Sequence, residues 1–289
     1  MNNNTKVKFE DRIDTAQEAL EAAGLNYTVA QAEIMNTTTG TVSDKCKSLY
    51  RTDTNQELGI VGKKYEPVQN HKAFSYFDTI CEMHGARYSE AISFNGGEKV
   101  ILKAEFPRPE VVGRNDEIKK QFCLINGFNG GVGVMATFMV NRLICSNGLR
   151  GTVRDAKNSF RFKHTTNVNF RMEEALKVLA AGTDYFNQFI RMANELTQKQ
   201  IDSAMVDKFL VSVFGDPQST RGANKQEEIK GYIESGIGNS GSTAWDLYNG
   251  VTEYVSHHHG KDEMKRLEYA NFGAGVQLSE TAFKVAYNL

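Results

Sequence analysis

The densest set of side chains able to meet a polyanion lies mid-chain. Between residues 142 and 171 stand Arg142, Arg150, Arg154, Lys157, Arg161, Lys163 and Arg171, opposed only by Asp155. Inside this stretch, Asn158-Ser159-Phe160-Arg161-Phe162-Lys163-His164 interleaves cations with aromatic rings. Single-stranded nucleic acid is held by that combination, since cations follow the phosphates and each stacked ring contributes about 1–3 kcal/mol. The competing reading is a strand in which Phe160 and Phe162 share one face and enter a core, while Arg161 and Lys163 form a solvated face. Just upstream, Gly127-Phe128-Asn129-Gly130-Gly131-Val132-Gly133 reads as a hairpin turn or as a phosphate-contacting loop. Exposed amides in such a turn can cradle phosphate, which makes Gly130 and Gly131 further candidates.

Other constellations exclude more than they suggest. Gly131-Val132-Gly133-Val134-Met135-Ala136 fits G-x-G-x-x-A, but a dinucleotide site also needs a following helix and an acid after a second parallel strand. No such strand precedes Asp155, and no Gly-Lys-Ser/Thr follows to make a Walker loop. His257, His258 and His259 are consecutive, so on a helix they diverge by about 100° each and read as a polar helix end, not as ion ligands. Cys46, Cys81, Cys123 and Cys145 are widely spaced among apolar neighbours and read as buried free thiols. With no nucleophile motif either, no catalytic residue, cofactor or metal is assigned. An enzyme site assembled in space would show itself by convergence of Asn147, His164 and Asp155.

The 289 residues are 40% hydrophobic and 24% charged, which is globular composition with room for a substantial core. The net charge is −1, but its distribution is uneven: the first 35 residues hold six acids against Lys6, Lys8 and Arg12. A near-neutral sum can therefore conceal an acidic face and a basic one. No apolar run is long enough to span a bilayer, and Met1 to Lys6 lacks an apolar signal core. The expectation is a protein of the host cell cytoplasm with no membrane partner.

The elements that must position these groups follow from periodicity. Phe9, Ile13, Ala16, Leu20 and Ala23 predict an amphipathic N-terminal helix ended by Gly24. Residues 27–32 are extended, 37–43 a loop, and 48–51 and 58–61 short paired strands. Asn70 caps a helix whose face is Ala73, Phe74, Phe77, Ile80 and Cys81, with Gly85 as its stop. Strands at 87–94 and 99–106 flank Asn95-Gly96, a hairpin signal. Further strands are expected at 118–126 and 134–138, while 140–149 suits helix or strand. Helices are expected over 168–196, 198–214, 243–258 and 279–287, with 218–226 a polar loop and 236–242 a flexible segment. The order gives an α+β fold: a hairpin-rich antiparallel sheet flanked by helices (1–165) and a mainly helical part packed on it (166–289).

Several phrases carry a resemblance. They are Gly24-Leu25-Asn26-Tyr27-Thr28-Val29, Leu58 to Asn70 with its Tyr65-Glu66-Pro67-Val68-Gln69-Asn70 core, Met139 to Leu149, His164 to Val168, and Thr243 to Tyr254. Their order and spacing resemble the phage/plasmid-related domain-of-unknown-function family from about residue 24 to 275. That resemblance implies a setting in a phage, prophage or plasmid and no particular activity. At the level of architecture, a helix feeding a hairpin sheet and then a long helix is similar to phage single-strand annealing proteins, which implies a ring or filament holding single-stranded DNA in a basic groove.

The leading expectation is thus a single-stranded DNA-binding or annealing protein of a mobile element, a homo-oligomer acting in recombination or replication. Arg142, Arg150, Arg154, Lys157, Arg161, Lys163 and Arg171 would pair with phosphates, and Gly130 and Gly131 would admit backbone amides. The alternative is a factor that binds a host protein and inhibits or redirects a host system, using the acidic N-terminal helix and the Gly/Ser-rich loops.

Overall fold

The computed structural model describes residues 4–144, 147–149, 159–164 and 182–289. The chain is α+β, with antiparallel sheets in the N-terminal half and mostly helices in the C-terminal half. It divides into two compact units, residues 1–107, 121–137 and 159–182, and residues 108–120, 138–158 and 183–289. The second unit therefore draws on more of the chain than the stretch 166–289.

In the first unit, the segment expected to open a helix is instead a strand, β1 (Thr5–Ile13). Its start pairs antiparallel with β5 (Arg87–Phe94), and Lys6 reaches Glu90 at 3.4 Å. Local sequence explains where the helix begins. Glu18 N–H donates to Thr15 Oγ1 and the Thr15 N–H donates back to Glu18 Oε2, both at 3.2 Å, so a capping box starts α1 (Ala16–Ala22). Apolar residues upstream of that box serve sheet pairing, where tertiary contacts override a helical period.

β2 (Val29–Met35), β3 (Val42–Arg51) and β4 (Glu57–Gly62) form a three-stranded antiparallel sheet. The expected helix at Asn70 is two short ones, α2 (Asn70–Ser75) and α3 (Asp78–His84), and α3 ends at left-handed Gly85. Asn70 does not cap; it is buried and bonded into the core. β5 and β6 (Lys99–Glu105) form the expected hairpin, with Asn95 and Gly96 at φ 51° and 71°. Asn and Gly are the residues that adopt such left-handed φ values most readily, and Gly97 at φ 116° continues the four-residue connection to Lys99. Ile92, Ile101 and Ile125 align across β5, β6 and β8 (Asp116–Gly127), and all are fully buried. β9 (Val134–Arg142) follows, and β11 (Ser159–Phe162) pairs with its first residues.

In the second unit, β7 (Glu110–Val112) pairs with the start of β8, and β10 (Asn147–Leu149) with the end of β9. The helices are α4 (Gly182–Gln198), α5 (Ser203–Phe214), α6 (Thr220–Ser235), α7 (Ala244–Glu253), α8 (Glu263–Phe272) and α9 (Ala274–Asn288). A π-helical turn, Tyr254–His258, extends α7. The polar stretch 218–226, expected as loop, begins α6: Gly222 N–H donates to Ser219 Oγ at 3.2 Å and caps it. Every residue of α7 is buried, and Phe138, Tyr185, Phe189, Trp245, Tyr248 and Phe283 build an aromatic core around it. Among the described residues, no helix is long and apolar enough to cross a membrane.

Candidate functional site

β11 is short, and its pairing with β9 places Arg161 opposite Met135 and Phe162 opposite Val134. Arg161 and Lys163 are both exposed. The Arg161 guanidinium donates to the Gly131 carbonyl, which binds β11 to the turn between β8 and β9. That turn leads into a strand and not a helix, as a hairpin reading requires and a dinucleotide fold does not allow. Gly130 sits at φ +77°, a conformation that favours glycine. Gly131 and Val132 N–H groups donate to Asn129 Oδ1 at 2.9 and 3.1 Å, so a carboxamide already fills the place a phosphate would take on these amides. The cations, not the Gly131 amide, are what the turn offers to an anion.

β4 brings further cations to the same turn. A Cβ on Gly59 would lie 2.8 Å from Asn129 Cα, so glycine is what permits β4 to pack against it. After β4 come exposed Lys63 and Lys64, and the Lys63 N–H donates to the carbonyl of exposed Lys45 at 3.1 Å. Tyr65 then stacks on His164 with centroids 4.7 Å apart, setting Lys64 and Lys163 beside a shared ring pair. Among the described residues of these segments, exposed Lys45, Lys63, Lys64, Arg161 and Lys163 stand with Asp44, Glu57 and Glu66 as the exposed carboxylates. Lys45, Lys63 and Lys64 lie about a hundred residues before β11 in sequence, so composition windows could not join them to it. The Lys63-Lys64 pair was the available signal.

The Tyr65-Glu66-Pro67-Val68-Gln69-Asn70 phrase is a clamp. Tyr65 Oη donates to Gly127 O at 3.1 Å, Val68 N–H to His164 Nδ1 at 3.0 Å, and Asn126 Nδ2 to both Val68 O and Asn70 Oδ1 at 2.9 Å. Gln69 exchanges hydrogen bonds with both backbone groups of Val29. His164 is 3% exposed, and burial lowers its pKa to about 4. A neutral ring accepting at Nδ1 carries its proton on Nε2. The clamp holds the chain immediately after Arg161 and Lys163.

Arg142 departs from the expected role. It is 2% exposed: Nε meets Asp116 Oδ2 at 2.6 Å, Nη1 donates to Ile237 O at 2.9 Å, and Nη2 to Gly238 O at 2.8 Å. Trp245 Nε1 donates to the same Asp116 carboxylate at 2.8 Å. A guanidinium so enclosed is closed to a phosphate from solvent, so it is structural. The Gly/Ser segment 236–242 is correspondingly anchored, since Ser240, Ser242 and Thr243 N–H groups all donate to the buried Asp246 carboxylate. Sequence reading could not find this hub, because Asp116 and Trp245 lie 129 residues apart.

Arg150, Arg154, Lys157, Arg171 and Asp155 lie outside the described residues. His164 belongs to the first unit and Asn147 to the second. Cys81 and Cys123 are buried and Cys46 half-buried, while Cys145 lies outside the described residues. The three histidines fall at the π-turn, and among the described residues no three His, Cys, Asp or Glu side chains are grouped to hold a metal ion.

No curated protein and no solved structure matches this chain. Residues 57–272, which include the clamp, β11 and the Arg142 hub, match the family model described as Domain of unknown function (DUF932), and the chain belongs to that family.

Proposed function

We propose that this protein binds single-stranded DNA and promotes its annealing, as part of the recombination or replication machinery of a phage or other mobile element. The observation that carries the reading is the exposed Arg161 on β11 and Lys163 just after it, joined by Lys45, Lys63 and Lys64 around one turn. Charges on separate segments, fixed by a buried clamp, form a contour that a flexible phosphate chain can follow. Arg150, Arg154, Lys157 and Arg171 remain candidates from the sequence for the same role, whereas Arg142 does not take part. Annealing needs no bond chemistry; holding two strands extended lowers the barrier by positioning. The mobile-element setting and the oligomeric ring or filament rest on the resemblances described above.

The test is an anisotropy titration with single-stranded oligonucleotide across a salt series. Each phosphate neutralised on a single strand contributes about 0.7 to the logarithmic salt slope, so Arg161→Ala with Lys163→Ala should reduce it by about 1.4. An unchanged slope would refute the assignment of these two residues.

A second reading, a factor that binds and redirects a host protein, is favoured by one observation. Met35, Val42 and Ile60 on the three-stranded sheet are 55%, 46% and 57% exposed. Of the N-terminal acids offered for that role, Glu10 and Asp11 stand on β1, while Glu18 and Glu21 stand on the helix α1. Recovery of one stoichiometric host protein without nucleic acid would favour it.

A further inference from the structure

α7 contains an unexplained polar group. Asn249 is 0% exposed, yet neither its Nδ2 nor its Oδ1 has a hydrogen-bond partner among the described residues. A bare buried donor or acceptor costs about 1–3 kcal/mol, and native interiors retain few without a reason. Trp245, Asn249 and Glu253 follow one another at four-residue spacing on one face of the helix. Trp245 is satisfied by Asp116. Glu253 is a buried carboxylate: Oε2 accepts the Ile237 N–H at 3.0 Å, while Oε1 faces His258 Nε2 at 3.8 Å.

The π-turn explains how His258 comes to stand there. On a regular α-helix a residue five positions on is rotated by about 140°. The wider turn at Tyr254–His258 closes that angle, and such insertions recur at functional sites. His258 stacks on Tyr232 with centroids 4.3 Å apart and planes at 17°, and its side chain is 37% exposed. Along α7 and its π-turn, a solvent-reaching ring pair is thus followed by a buried carboxylate and, one helical turn further in, by a carboxamide with no partner among the described residues.

We propose that this stretch takes a nucleobase bearing an exocyclic amine. Tyr232 and His258 would meet its face, Glu253 its amine, and Asn249 the adjoining donor and acceptor on its edge. The proposal rests on the single-strand reading above and assigns the second unit a contact of its own. The chemistry matches: asparagine pairs bidentately with adenine, carboxylates accept from the cytosine amine, and rings stack on any base. Thymine has no exocyclic amine to offer Glu253. Because Asn249 is closed off in the free chain, entry requires the His258 end to open.

The experiment titrates the full chain with oligo(dA), oligo(dC) and oligo(dT) at fixed salt, for the wild type, Asn249→Leu and His258→Ala. The wild type should favour oligo(dA) or oligo(dC) over oligo(dT). Asn249→Leu should erase that preference while melting no lower than wild type, because a bare carboxamide has been removed. His258→Ala, a change at the surface, should weaken binding about 5- to 100-fold with the salt slope kept, since stacking releases no counterions. Equal affinity of the wild type for all three oligomers overturns the proposal, as does an Asn249→Leu protein that melts lower and still discriminates. Wild-type binding whose salt slope depends on Arg161 and Lys163, without base preference, leaves the phosphate reading standing and removes this one. Failure to bind any oligomer overturns both.

Discussion

Mild acid should weaken the first unit through a single imidazole. His164 is 3% exposed, and burial lowers its pKa from 6.5 to about 4. The folded protein thus refuses a proton that the unfolded chain accepts. Between these two values the unfolded state binds more protons, so stability is fully present above the unfolded pKa and is lost as pH falls toward the folded one. From the two pKa values, the loss between about pH 7 and about pH 5 is about 2 kcal/mol. Below about pH 4 both states are protonated and this contribution stops changing. Urea unfolding of the wild type and of His164→Asn, followed by far-UV dichroism at both pH values, isolates the effect. Asparagine can still accept the Val68 N–H but does not titrate, so its pH dependence should be flatter by that amount. Equal pH dependence in the two proteins would show that His164 is not held neutral and that the clamp is misassigned.

Other outcomes follow from the same structure. Arg142→Met should destabilise the second unit by about 3–5 kcal/mol, because Asp116 is left as a buried charge without its cation. Trp245, the single tryptophan, donates to that carboxylate, so its fluorescence reports the transition directly. Thr15→Ala should cost about 1 kcal/mol by removing the cap of α1, readable in the same denaturation assay.

Elements with strong local signals were legible. Asn95-Gly96 announced its hairpin, and Gly85 and Gly215 marked helix ends that the structure keeps. The alternation of Arg161 and Lys163 with phenylalanine leaves a strand with a solvated cationic face as one of two readings, and the structure has a strand there with both cations exposed. What was not legible depended on distant partners. Phe9 and Ile13 continue the helical period of Ala16 and Leu20, yet pairing with β5 makes their segment a strand. Gln218 to Gln226 looks like solvated loop because only Ile229 and Ile233 of α6 are buried, too few to raise a strong periodicity. Arg142 carries the same side chain as Arg161, and nothing local reveals that Asp116 and the 237–239 carbonyls enclose it. The phrases that carry the family resemblance proved to be joints: Val68 to His164, Asn70 to Asn126, and Arg142 to the segment before Trp245.

The central claim concerns the cations gathered at the turn between β8 and β9. A single-stranded oligonucleotide titrated into the protein over a range of salt, with Arg161 and Lys163 intact and then replaced together by alanine, tests it most directly. The account predicts binding that weakens as salt rises, with the logarithmic slope shallower by about 1.4 in the double variant. Binding with the same slope in both proteins, or no binding by the intact one, would contradict it.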